Sequence, residues 1–194
     1  ELLARLEAIL PRLDAVIVNE QVRTGIHTPY LRGRLRALMQ RQPRPIFVFD
    51  GRPHADCYPE AWLKVNASEA RQLCGHACDP QELVLREDAI AAAQTLHART
   101  RCPVFVTRGS RGCVVATADG VETIPGIETI GATDPVGAGD SFLSALAATV
   151  AAGGTPREAA PLGNVAARMV VAKIRCTGTA STEANEFAEI YKLD

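Results

Sequence analysis

The chain has no apolar run approaching the roughly 18 consecutive residues that a membrane-crossing helix needs, so no membrane partner is expected. It also lacks a basic stripe or polybasic tail. With 21 lysines and arginines against 22 aspartates and glutamates, the net charge is -1, which argues against a nucleic-acid partner. No signal peptide is visible, and the first residue is Glu1 rather than methionine, which implies trimming. The six cysteines, Cys57, Cys74, Cys78, Cys102, Cys113 and Cys176, form no tightly paired framework, so a reducing, cytoplasmic setting is expected. Cys102 and Cys113 sit in or beside apolar strand-like runs, as small buried thiols do. The run Cys74-Gly75-His76-Ala77-Cys78 imitates part of a zinc site, but no second CxxC or HxxxH pair completes four ligands. A helix end stopped by Gly75 accounts for it. Internal repeats, low-complexity stretches and long linkers are absent too, so residues 1–194 are read as one domain.

What remains is an ordinary globular composition, 47% hydrophobic and 22% charged, long enough to bury a core without staples. Strand-like and helix-like segments alternate. Ala15-Val16-Ile17-Val18 and Ile46-Phe47-Val48-Phe49 are short apolar runs of the kind that buried parallel strands need. Between them Thr28-Pro29 supplies an N-cap and a proline at the first helical position, opening a basic helix to about Gln42. Its run Arg32-Gly33-Arg34-Leu35-Arg36 reads as a solvated face. Trp62-Leu63-Lys64-Val65 is a further strand ending at Asn66, and Ser68-Glu69 opens a short helix. An alanine-rich helix covers about 87–99, and Pro103-Val104-Phe105-Val106-Thr107 is the next strand. Residues 113–117 and 121–124 flank Ala118-Asp119-Gly120 as a hairpin. Long helices follow at about 139–152 and 156–174, then a turn at Thr177-Gly178-Thr179 and a last helix near 183–191. This order predicts a three-layer α/β/α architecture on a mainly parallel sheet.

The chemistry concentrates in Thr133-Asp134-Pro135-Val136-Gly137-Ala138-Gly139-Asp140-Ser141-Phe142. Small residues at 137–139 let backbone approach a ligand just where a long helix begins. The first N–H groups of a helix lack internal partners and carry the positive end of its dipole, so Gly137, Ala138 and Gly139 form a candidate anion hole. Asp140 places a carboxylate beside it. An Asp there can merely stabilise the helix start; beside a glycine-rich approach it can also take the proton of an attacking hydroxyl. Two other glycine motifs fail on spacing: no lysine follows Gly139 as a Walker loop requires, and Phe142 stands where a dinucleotide fingerprint needs its third glycine.

Asp134-Pro135-Val136-Gly137-Ala138-Gly139-Asp140 resembles the D-T-x-G-A-G-D signature of ribokinase-like (phosphofructokinase-B type) carbohydrate kinases, with Pro135 in place of the usual threonine. Proline removes one N–H and fixes φ in the loop before the anion hole. Asn66-Ala67-Ser68-Glu69 resembles the family's N-x-x-E motif, which implies that Asn66 and Glu69 organise magnesium through water. Thr107-Arg108-Gly109-Ser110-Arg111-Gly112 resembles its T-x-G-x-x-G turn, which implies nucleotide contacts from Thr107, Gly109 and Gly112. Gly163-Asn164-Val165-Ala166-Ala167 resembles the helix over adenine, with Asn164 toward the nucleotide.

The resemblance implies an ATP-dependent kinase of a sugar or sugar phosphate, with Asp140 as base and Mg2+ as cofactor. It also implies a K+ loop of carbonyls near Asp134, Val136 and Gly178. Val171-Ala172-Lys173-Ile174 leading to Gly178-Thr179-Ala180-Ser181 looks closest to the sugar and heptose kinase branch. Members of the family are longer at the N-terminus, so this chain is expected to be the nucleotide-binding, catalytic C-terminal portion, with the lid and most sugar contacts elsewhere. Such a chain is expected to form a homo-oligomer or to associate with the missing half. A nucleoside or vitamin-precursor kinase, or a non-catalytic nucleotide or sugar sensor, are the alternatives.

Overall fold

The computed structural model describes residues 1–22, 25–41, 44–51, 54–79 and 82–173. The Gly178 turn, the last helix and Cys176 lie outside the described residues. Six strands form one sheet in sequence order: β1 (Ala15–Glu20), β2 (Ile46–Gly51), β3 (Trp62–Asn66), β4 (Val104–Thr107), β5 (Cys113–Thr117) and β6 (Gly120–Ile124). The first four are parallel, whereas β5 and β6 run antiparallel as the expected hairpin.

Alternation along these strands feeds two separate cores. Phe47, Phe49, Val104, Val106, Val114 and Ala116 face one layer; Val48, Phe105, Cys113 and Val115 face the other. The first layer holds α2 (Pro29–Arg41), α3 (Ala67–Leu73) and α4 (Arg86–Thr100). Helix α2 starts where expected, with Thr28 Oγ1 accepting the Leu31 N–H at 3.3 Å. It buries Leu31, Leu35, Leu38 and Met39, one helical face, and leaves Arg34 and Arg36 exposed. A helix not anticipated from sequence, α1 (Leu2–Ile9), adds partly buried Leu3 and Leu6 to this layer.

The opposite layer holds α5 (Ala138–Ala151) and α6 (Pro156–Val171). They cross closely because Gly163 lies against the Phe142 ring, where a β-carbon would come within 2.7 Å. Phe142 in turn meets Phe105 edge-on at 6.4 Å, fixing α5 over the sheet. The result is the three-layer α/β/α architecture. Among the described residues no helix is long and apolar enough to cross a membrane. Cys113 is fully buried, and burial pushes its thiol up to about 12, so it behaves as an inert core residue.

Candidate active site

The strand register brings the polar residues to one edge. Glu20 pairs with Gly51, and Asn66 with Thr107, at the carboxyl ends of the parallel strands. One strand position earlier, Asn19 stands beside Asp50 and Asp50 beside Lys64. Ligands of open α/β sheets bind at this end. A cavity of about 1190 Å³ opens there.

Helix α5 begins at the cavity without a side-chain cap. Gly137, its N-cap, has φ 83°, a left-handed conformation that glycine adopts without strain. The Asp134 carboxylate accepts the Val136 N–H at 3.1 Å and the Pro135 carbonyl accepts that of Ala138 at 3.2 Å, which shapes the approach. The N–H groups of Gly139 and Asp140 have no acceptor among the described residues. Asp140 is exposed at the rim, and its Oδ1 accepts from Gln21 Nε2 at 2.9 Å and from Asn19 Nδ2 at 3.3 Å. Both amides reach the same oxygen and so orient the carboxylate without occupying Oδ2.

Sequence reasoning read Lys64 only as part of a strand, yet it is central here. Its side chain is 8% exposed, and the ammonium pairs with Asp50 Oδ2 at 2.7 Å. A β-carbon at Gly139 would lie 3.1 Å from Lys64 Nζ, so the glycine leaves the ammonium room beside the open helix start. Burial pushes the Asp50 carboxyl above the usual carboxylate range; Lys64 pulls it back, while Glu69 and Asp140 push it up. The available signal was a lysine set between Leu63 and Val65 in a strand otherwise buried on both faces.

Asn66 and Glu69 form a reciprocal capping box at the start of α3. Asn66 Oδ1 accepts the Glu69 N–H at 2.9 Å, and Glu69 Oε2 accepts the Asn66 N–H at 2.8 Å. The pair is thus an ordinary helix start, and both residues also line the cavity. Among the described residues no three histidines, cysteines or acids converge closely enough to hold a metal ion. The donor set fits magnesium held largely by phosphate oxygens and water, near Glu69 and Asp50, rather than by an all-protein cage.

Across the cavity, Thr107 Oγ1 donates to the Val65 carbonyl at 3.4 Å, and the turn after it depends on glycine. A β-carbon on Gly112 would fall 2.1 Å from the Ile124 carbonyl oxygen, and one on Gly126 would fall 1.9 Å from that of Ser110. Two backbone segments thus touch with nothing between them. Asn164 lines the cavity, but its Nδ2 donates to the Pro125 carbonyl at 3.0 Å; with Arg168 Nε on the Glu128 carbonyl it ties α6 to residues 125–128. Of the residues expected from sequence, Asn66, Glu69, Thr107, Gly109, Gly112, Ala138, Gly139 and Asn164 share one cavity wall. Gly137, Asp140, Asp134 and Val136 belong to the same loop and helix start but are not part of the cavity lining. Asn19 and Gln21, which hold Asp140, lie some 120 residues away in sequence and carried no motif.

The chain is similar in sequence and in fold to known proteins. The bifunctional protein HldE of Paramagnetospirillum magneticum is 30% identical over 96% of this chain, and that of Vibrio vulnificus is 30% identical over 96%. The chain spans 37% of the length of each. Ribokinase from Thermotoga maritima superposes with a TM-score of 0.70 at 20% identity, covering 94% of this chain and 59% of its own. Phosphofructokinase-2 from Escherichia coli, in complex with potassium, gives 0.72 at 18% identity over 97% of this chain and 61% of its own. The fold is therefore ribokinase-like. The profile described as pfkB family carbohydrate kinase matches residues 53–183, a span that includes the capping box of α3 and the uncapped start of α5, and the chain belongs to that family.

Proposed function

We propose that this chain is the nucleotide-binding and catalytic portion of a kinase that moves the γ-phosphoryl group of ATP to a hydroxyl of a sugar or sugar phosphate. The observation that carries the reading is the uncapped start of α5, with Lys64 beside Gly139 and an oriented Asp140 at the rim. Thr107, Gly109 and Gly112 line the same cavity. Asp140 takes the proton as the acceptor oxygen attacks the γ-phosphorus and the bond to the β-phosphate oxygen breaks, leaving ADP. The amides of Gly139 and Asp140 and the Lys64 ammonium meet the charge that develops on the transferring oxygens. Magnesium, when bound, neutralises phosphate charge; Glu69 and Asp50 are the acids positioned to hold its waters.

One acidic side chain that carried no sequence motif adds to the acceptor side. Glu20 has 5% of its surface exposed, lines the cavity, and leaves Oε2 without a hydrogen-bond partner among the described residues. Its Oε1 is held by His54 Nδ1 at 2.7 Å. A buried carboxylate oxygen next to the residues that hold Asp140 suits a hydroxyl-rich acceptor. Retention of Asp140 in oriented form speaks against a decayed, non-catalytic sensor. A coupled ADP-release assay of the intact protein against free sugars, sugar phosphates and nucleosides tests the reading. Magnesium-dependent turnover with sugars or sugar phosphates is expected; turnover with nucleosides alone would replace the acceptor class, and nucleotide binding without turnover would favour the sensor.

A further inference from the structure

The turn that faces the cavity through Thr107 carries a concentration of positive charge on its other side. Alternation along β4 directs Val104 and Val106 toward the α1–α4 layer, and Arg108 continues that row. Arg108 is 9% exposed, and its buried Nε has no hydrogen-bond partner among the described residues. An N–H so placed has lost hydration and gained no acceptor. Its charged neighbours are Arg111, Arg86 and Glu87. Burial, then Arg111 and Arg86, hold the guanidinium below its usual range, and Glu87 opposes them.

These groups meet at one place, the start of α4. Arg111 Nη1 donates to the Val84 carbonyl at 3.0 Å, which fixes that side chain just ahead of the helix. The N-cap is Leu85, which has no side-chain oxygen, so the first-turn N–H groups at 86–88 receive no side-chain cap. Arg86 opens the helix with an exposed side chain 3.7 Å from Glu87. Asp88 is turned to Arg71, at 3.8 Å. Among the described residues, Glu87 is the acid set against Arg86 and Arg111 around Arg108. None of the three arginines lines the large cavity.

We propose that Arg86, Arg108 and Arg111, with the uncapped first turn of α4, bind a phosphate-class dianion at a site separate from the catalytic cavity. The planar forks of arginine and the N–H groups of a helix start are both suited to phosphoryl oxygens. Three arginines gathered about Glu87 favour a dianion over a singly charged carboxylate.

The test follows the arginine Nε–Hε resonances of the 194-residue chain by ¹H–¹⁵N NMR during titration with inorganic phosphate, glycerol 3-phosphate, acetate and chloride at matched ionic strength. Saturable movement of the Arg108 signal with phosphate, and little with acetate or chloride, is expected. Arg86→Gln, at an exposed side chain that the fold does not need, is expected to weaken that saturation severalfold; Arg34→Gln, on the exposed face of α2, should leave it unchanged. Tighter saturation by glycerol 3-phosphate would identify an organic phosphate as the ligand, and equal or weaker saturation would identify free phosphate; either supports the site. Equal responses to phosphate and chloride would overturn it, leaving a solvated arginine cluster. So would saturation confined to Gly139 and Asp140, or left unchanged by Arg86→Gln.

Discussion

Helices α5 and α6 pack along each other in one layer and begin in opposite ways. Helix α6 starts closed: Thr155 Oγ1 accepts the Glu158 N–H at 3.2 Å, Glu158 Oε2 accepts the Thr155 N–H at 2.8 Å, and Pro156 removes a donor that would otherwise need a partner. Helix α5 starts open, on a left-handed glycine, with two N–H groups directed to no acceptor among the described residues. The first start is built for stability and lies away from the cavity; the second gives up stability where a ligand can supply the missing acceptors. A third start, that of α3, is intermediate, because its capping box is complete and its residues also line the cavity.

The largest effect expected from this contrast is at Asp140. Asp140→Asn keeps the open amides of α5 and the hydrogen-bond geometry around residue 140 but removes the base. Turnover in the ADP-release assay should fall about 10²- to 10⁴-fold with nucleotide affinity nearly unchanged. Turnover close to that of the unaltered protein would remove Asp140 from the chemistry and make α5 a binding element only.

Lys64→Met comes next, because it strikes the ion pair beside the open start. Breaking a buried pair by removing one partner costs about 3–5 kcal/mol. Asp50 sits above its ordinary value of 3.8, so its contribution to stability is fully present below that value and is lost as pH rises through the raised folded value. Without Lys64 the folded value rises further. Denaturant melts should therefore show the variant's deficit growing as pH is raised from acid to neutral. A deficit independent of pH would mean that the Lys64–Asp50 pair does not set the charge at this site.

How much of this was legible in the sequence depends on the range of the interaction. The strands and the helices from α2 to α6 announced themselves locally, through apolar runs, Thr28-Pro29, and the glycines at 75, 112 and 137. Helix α1 did not, because it has no side-chain cap and buries no residue fully. The capping box at Asn66 and Glu69 and the small residues at 137–139 are contiguous in sequence, so a motif could find them. Lys64 with Asp50, and Asn19 and Gln21 with Asp140, are joined only by strand register and by the docking of α5. Nothing within a few residues of Lys64 signals that Gly139 will lie beside it.

Glu69→Gln tests the intermediate start. The amide oxygen of glutamine can still accept the Asn66 N–H, so α3 should survive while a charge near the phosphates is lost. The magnesium concentration for half-maximal rate should rise severalfold, a partial effect because magnesium keeps most of its waters. An unchanged titration would return Asn66 and Glu69 to a purely structural role.

The smallest effect is expected at the closed start, and it is the control for the others. Thr155→Ala removes the hydroxyl that accepts the Glu158 N–H and donates to its carboxylate, at 2.8 Å. Loss of such a cap lowers Tm by about 2–4 °C in a chain of this length. The Thr155 N–H, and then its hydroxyl, hold the Glu158 carboxyl below its ordinary value of 4.5. Its contribution is therefore present above that value and lost as pH falls through the lowered one. The Tm gap between the two proteins should thus narrow on acidification, the same direction as the Lys64 variant's deficit but in the window below 4.5 rather than above 3.8. Turnover and magnesium dependence should not move, since Thr155 and Glu158 lie outside the cavity wall. A Thr155→Ala protein that kept its Tm but lost turnover would break the division between a closed helix start that stabilises and an open one that binds.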